Sequence, residues 1–321
     1  MVLSLYQDLR IDNDLNAVQD VIRGQIQSST PFIREALSDL VEHNGKLLRP
    51  ALMVLSSRFG TPDRDKIIEM AAAVEMLHIA TLIHDDVIDQ APSRRGIPTL
   101  HLRYGERNAV LLGDFLFTRS FQLASRYTEI ETGRYIAGII NGICESEIRQ
   151  HGRMSPSATS FKEYHRRIMG KTAALFALSA YVGAHQSEVE ERHTLRLKKI
   201  GYNIGAGFQV IDDILDFSDQ GDKIGKAVGT DIRQGIVNLP LLYALQEDNG
   251  KLRQRLERRP SNGRALKQVI SLTRNLKGVE RARDCSEAYT RKALFSISRL
   301  PEGDNRDHLQ AYVNYLLERD Y

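Results

Sequence analysis

Cysteine is scarce: Cys144 and Cys285 alone in 321 residues cannot build a disulfide framework, stand in no metal-binding spacing, and point to a reducing cytoplasm. Nine prolines leave room for long uninterrupted helices. Net charge is nearly absent. With 44 basic against 41 acidic side chains the total is +3, so no global field draws the chain to nucleic acid or a membrane surface, and any anion binding must be local. No run of about 18 or more apolar residues occurs and no basic-then-apolar leader opens the chain, so a cytoplasmic protein without a transmembrane segment is expected. Strict apolar alternation is missing over any useful length, which excludes a sheet as the main scaffold.

What remains is helical. Hydrophobic residues make up 42% and charged ones 26%, an ordinary globular balance able to bury a substantial core. Amphipathic pattern runs from Asp14 to His43, broken at Ser28-Ser29-Thr30-Pro31, where Thr30 caps and Pro31 opens a helix. Further helices are expected over Asp63 to Ile88, Arg107 to Thr128, Gly133 to His151, Phe161 to Ala184 and Arg192 to Phe217, with a loop from Gln90 to Thr99. Gly201, Gly205 and Gly207 read as sites of close helix packing, since no strand precedes them. The fold class is all-α, a single domain over 1–321.

Within this pattern one short acidic motif occurs twice. His84-Asp85-Asp86-Val87-Ile88-Asp89 ends one apolar helix, and Gln209-Val210-Ile211-Asp212-Asp213-Ile214-Leu215-Asp216 ends another. Helical spacing puts Asp85 and Asp89 on one face with Asp86 beside them. A single such run reads as readily as a solvated helix end. Two of them at the ends of apolar helices suggest a polynuclear metal site, because unpaired buried carboxylates repel and Mg²⁺ accepts carboxylate oxygens together with substrate phosphates.

Candidate cations accompany them: Lys46 and Arg49 in Gly45-Lys46-Leu47-Leu48-Arg49-Pro50, Arg94 and Arg95 in the loop after the first triplet, and Lys226 in the loop after the second. Lys46 and Arg49 share a face if a helix begins there. His78 lies two turns before Asp85, and Gln209 three residues before Asp212. Gly170-Lys171-Thr172 resembles the end of a phosphate-binding loop, but His165 stands where that motif needs glycine, so the nucleotide reading is rejected. Carboxylates for metal on one side and cations on the other suit a substrate with two diphosphates and a hydrocarbon tail.

In this combination and order, the G-K-x-x-R-P motif, both aspartate motifs, R-R-G at Arg94 to Gly96, Lys171-Thr172 and G-F-Q-x-x-D-D-x-x-D at Gly207 to Asp216 resemble the trans-isoprenyl diphosphate synthase family over nearly the full chain. The resemblance implies a helical bundle around a deep central cavity (the isoprenoid synthase fold), usually homodimeric. It implies isopentenyl diphosphate on Lys46, Arg49, His78 and Arg95. It further implies Mg²⁺ on Asp85, Asp86, Asp89, Asp212 and Asp216 with an allylic diphosphate, assisted by Arg94, Lys171, Thr172, Gln209 and Lys226. Ionisation of the allylic diphosphate, addition of the alkene and loss of a proton would lengthen the chain by one unit.

Ala80 and Thr81, five and four residues before Asp85, are small where family members that stop at short products often carry a ring. The expectation is therefore a hexaprenyl to decaprenyl diphosphate, the precursor of a quinone side chain, with farnesyl or geranylgeranyl diphosphate as the alternative. Two departures stand out. Gly235-Ile236-Val237-Asn238-Leu239-Pro240 replaces the common G-K-x-T-L-P, and the C-terminal end is less basic than usual. They leave room for a catalytic subunit with a small non-catalytic partner. A terpene cyclase would carry N-D-x-x-S-x-x-x-E in place of the second triplet, and a regulatory subunit would have lost carboxylates from one triplet; neither fits.

Overall fold

The computed structural model describes residues 2–27, 30–42, 45–94, 96–151, 160–218, 229–258, 260 and 262–317. The regular structure among the described residues is helical apart from a hairpin of two two-residue strands: α1 (Val2–Asp8), α2 (Asp12–Gln25), α3 (Pro31–Glu42), α4 (Leu48–Ser57), α5 (Arg64–Ile88), β1 (Ser93–Arg94), β2 (Ile97–Pro98), α6 (Leu100–Tyr104), α7 (Glu106–Ala124) and α8 (Ile130–His151). Then follow α9 (Phe161–Ile168), a π turn (Met169–Ala173), α10 (Ala174–His185), α11 (Glu191–Leu215), α12 (Thr230–Gln234), α13 (Leu239–Gln246), α14 (Lys251–Glu257), α15 (Gly263–Asn275), α16 (Gly278–Ile297) and α17 (Asp304–Leu317). The all-α expectation holds.

Local chemistry sets several boundaries. Pro31 opens α3. Asp63 caps α5, its carboxylate accepting the Lys66 backbone N–H at 3.3 Å. Two expectations need correction. Residues 90–99 are not all loop, since β1 and β2 pair antiparallel with Arg94 opposite Ile97, a ladder too short to leave a periodic signal. The single helix expected from Phe161 to Ala184 is interrupted by the π turn at Met169–Ala173.

The chain gathers into two compact units, one of residues 1–137, 175–201 and 296–312, the other of 138–174, 202–295 and 313–321. In the first, α5 packs against α7, α2 and α4 and is buried from Ile67 to Leu77 almost all round. It has the length and hydropathy of a membrane span, but 72% of its most apolar 18-residue window is buried inside the protein, as befits a core helix. In the second unit Tyr164, Ile168, Val210, Ile214, Phe217, Leu239, Leu252 and Val269 form a continuous apolar core.

Close helix approach depends on glycine at two of the positions singled out above. A Cβ on Gly201 of α11 would lie 2.5 Å from the Phe176 carbonyl oxygen of α10 and 3.0 Å from the Ala180 methyl; one on Gly207 would meet Leu317 at 3.2 Å. Because the first obstacle is backbone, it cannot rotate aside. Gly201→Ala should therefore lower stability by about 1–3 kcal/mol, read from urea unfolding; an unchanged midpoint would show that α10 and α11 can separate freely.

Candidate active site

Both acidic triplets sit at helix C-termini, where the unpaired carbonyls already make the local potential negative. At the end of α5, Asp85 and Asp86 are only 8% and 6% exposed, and Asp89 is the C-cap residue, its N–H on the Asp85 carbonyl at 2.7 Å. Three negative side chains there demand a positive charge. The hairpin supplies it: Arg94 Nε donates to both Asp86 oxygens at 2.9 and 3.0 Å, and Nη2 to Oδ1 at 2.6 Å. Burial works against the guanidinium charge, but the hydrogen bond and charge of Asp86, with Asp85 and Asp89 behind it, outweigh burial and raise its pKa. Beside this pair lies a cavity of about 40 Å³ lined by Leu40, Ile79, Leu82, Ile83 and Leu100.

Other expected residues fall in the same unit. α4 starts at Leu48, not at Lys46, because Leu47 adopts the left-handed region at φ 48°. The shared helix face expected for Lys46 and Arg49 is therefore absent: Lys46 sits in the preceding turn, its carbonyl accepting the Tyr6 hydroxyl, while the Arg49 guanidinium stacks 4.7 Å over the Phe176 ring. A left-handed non-glycine residue costs on the order of 1–3 kcal/mol and is a common sign of a functional turn. His78 is half-buried, and its carbonyl accepts the Thr81 hydroxyl at 2.7 Å. Thr81 is half-buried, whereas Ala80 has no exposed surface, so Thr81 is the one of the two that meets open space. Arg95 and Lys226 lie outside the described residues.

In the second unit the end of α11 is organised differently. Asp212 is half-buried and accessible, while Asp213 is buried and serves as an internal hub. Its carboxylate accepts the Tyr164 hydroxyl at 2.7 Å, the Gln209 amide at 3.1 Å and the Leu239 N–H at 3.4 Å. Gln209 thus serves Asp213 four residues on, not Asp212, and its own oxygen accepts the Thr172 hydroxyl at 2.7 Å. Burial, with Asp231 nearby, raises the Asp213 pKa to about 6, and burial followed by the Asp213 charge holds the Tyr164 hydroxyl well above the usual phenol range. Asp216, 1% exposed, accepts the backbone N–H groups of Thr230 at 3.0 Å and Asp231 at 3.2 Å. Lys171 is half-buried in the π turn, a helix irregularity frequent at functional sites.

Sequence reasoning missed Tyr164, Asp213 and Asn238. Asn238, taken as a departure within a phosphate motif, is fully buried and caps α13: its oxygen accepts the Leu241 N–H at 3.4 Å and its amide reaches Asp231 at 3.2 Å. That is the capping role threonine also fills. Ile236 offers no cation, but Arg167 donates to the adjacent Val237 carbonyl at 3.3 Å. Among the described residues no three His, Cys, Asp or Glu side chains are grouped to hold a metal ion. Carboxylate oxygens nevertheless fit a hard divalent cation such as Mg²⁺, which takes one or two of them and fills its shell with water and phosphate.

A model of the polyprenyl synthetase family matches residues 30–273. The chain belongs to that family. Among family members it is 34% identical over 311 residues to heptaprenyl diphosphate synthase component 2 of Bacillus subtilis, covering 97% of this chain and 89% of that one. A polyprenyl synthase from Caulobacter crescentus, solved with calcium and isoprenyl diphosphate, superposes with a TM-score of 0.92 at 31% identity, over 99% of this chain and 98% of the other. Geranylgeranyl pyrophosphate synthase of Lactobacillus brevis does so at 0.93 and 33%, over 99% and 100%.

Tyr164→Phe deletes one donor to a buried carboxylate and nothing else. It should destabilise the protein by about 1–3 kcal/mol in urea unfolding, and wild-type stability would mean that Asp213 is satisfied without that hydroxyl.

Proposed function

We propose that the chain is a long-chain polyprenyl diphosphate synthase, adding isopentenyl diphosphate head-to-tail to an allylic diphosphate up to hexaprenyl to decaprenyl length, for a quinone side chain. The observation that carries this reading is the conjunction of intact aspartate triplets on two apolar helix ends with near full-length similarity to a heptaprenyl diphosphate synthase component. We read 1–321 as one synthase domain, since the family match at 30–273 runs through both compact units. The cytoplasm is the place we assign, on its two unpaired cysteines.

In this reading Lys46, Arg49, His78 and Arg95 hold isopentenyl diphosphate, with Arg49 steadied by the Phe176 ring. Asp85, Asp86, Asp89, Asp212 and Asp216 are the residues that would hold Mg²⁺, and a calcium ion accompanies the Caulobacter relative. Bound there, the ion supplies positive charge to the leaving diphosphate. Arg94, Lys171 and Lys226 add fixed positive charge around that diphosphate, while Thr172 and Gln209 orient it. The allylic C–O bond breaks with its electron pair leaving on diphosphate, the isopentenyl double bond supplies the pair for the new C–C bond, and a proton passes to the released diphosphate. Apolar walls exclude water from the cation.

Thr81, which is half-buried, sets chain length in this account, and Ala80, packed beside it, keeps that turn small: a small residue one turn before Asp85 lets the tail pass. The Lactobacillus relative, a geranylgeranyl synthase, keeps the shorter product as a second reading. We take the working form as a homodimer. The Bacillus relative is a second component of its synthase, which favours the alternative of a catalytic subunit with a small non-catalytic partner.

Incubating the purified chain with Mg²⁺, isopentenyl and farnesyl diphosphates, then sizing the dephosphorylated alcohols, should give products of about six to ten units. Chelation should abolish them, and Thr81→Phe should shorten them. Products ending at four units, or lengths that Thr81→Phe leaves unchanged, would overturn the long-chain reading and the tunnel account respectively.

A further inference from the structure

A net charge of +3 conceals a concentrated basic segment. Residues 251–277 hold nine Lys or Arg and a single acid, Glu257, a local net charge of +8 that leaves −5 for the rest of the chain. Within the second unit α14 packs on α15, and the apolar stripes of both, Leu252, Leu256, Leu266, Val269 and Ile270, enter the core. Their outer sides present Lys251, Arg255, Arg264 and Lys267 around an open groove of about 740 Å³, floored by Gln268 and Ser271. Arg255 donates to Gln268, and among the described residues no carboxylate lies within ion-pairing distance of the four cations.

Solvated helix faces intersperse the two signs, because like charges one turn apart cost stability and opposite ones repay it. This face keeps one sign only. It is open to solvent, so it suits an extended anionic surface better than an enclosed small anion. No large apolar or aromatic side chain is exposed among the described residues between Tyr202 and Phe295. That leaves no stacking platform for single-stranded nucleic acid and no wedge to enter a bilayer. What such a face attracts is an anionic lipid headgroup layer, through charge alone.

We propose that the basic groove between α14 and α15 docks the protein peripherally on an anionic membrane. The choice of a bilayer as partner rests on the proposed long-chain product, a lipid that must pass from the enzyme into a membrane. The docking is reversible, salt-sensitive and independent of catalysis.

Co-sedimentation of the full chain with vesicles tests it. Vesicles of phosphatidylcholine with about one third phosphatidylglycerol should bind the protein at low salt, pure phosphatidylcholine should not, and high salt should release it. Combined Lys251→Ser, Arg255→Gln, Arg264→Gln and Lys267→Ser should weaken partitioning on the order of 100-fold, with helical content by circular dichroism and soluble prenyl transfer unchanged. A control removing equal charge at exposed Arg23, Arg34, Arg134 and Arg192 should still bind. Binding equal on both vesicle types, survival of binding in the groove variant, equal loss in the control, or capture of an oligonucleotide in place of vesicles would each overturn the proposal. Because vesicle binding is read without turnover, its failure leaves the product assay standing, and the reverse holds too.

Discussion

A buried carboxylate at the negative end of a helix is tolerated only opposite positive charge or dense hydrogen bonding, and that constraint organises this protein's chemistry. α5 and α11 both end this way, and each end meets the constraint by different means. At α5 a guanidinium from a two-residue hairpin chelates Asp86, placing a cation where the helix, its own carbonyls and three aspartates are all negative. At α11 the inner carboxylate takes three neutral donors and a raised pKa, which leaves the outer Asp212 accessible.

The two solutions divide labour among neighbouring acids. Consecutive side chains on a helix lie about 100° apart, and in the second Asp-Asp pair that separation leaves Asp212 half-buried and Asp213 fully inside. Asp213 faces in and ties α9, α11 and α13 together through Tyr164, Gln209 and the Leu239 N–H. Asp216 faces the start of α12 and gathers two successive backbone donors. Half-buried Asp212 and the fully engaged Asp213 are thus neighbours in sequence with opposite surroundings.

Much of this was legible beforehand because it is local. The helix start near Asp63, the Pro31 start and the two aspartate spacings involve residues within a turn or two of each other. The Tyr164 hydroxyl meets Asp213 across 49 positions, and no periodicity announces such a contact. Each strand of the hairpin that delivers Arg94 is a single pattern repeat long. Asn238 looked like a departure because it was compared with a motif; in the fold it is a helix cap, a role that threonine and asparagine share. Ala80 read as tunnel lining from its size, yet only packing could tell that it has no open side.

The π turn at Met169–Ala173 sets the winding phase between two contacts. On an uninterrupted α-helix Tyr164 and Thr172 would point about 80° apart. A wider turn holds more residues per revolution and rotates the later one back toward the earlier. Both hydroxyls then reach the same ridge of α11, Tyr164 at Asp213 and Thr172 at Gln209, one helical turn apart. The irregularity acts as a vernier, bringing into alignment two side chains that regular geometry would send to different neighbours, and it leaves Lys171 inside the adjustment itself.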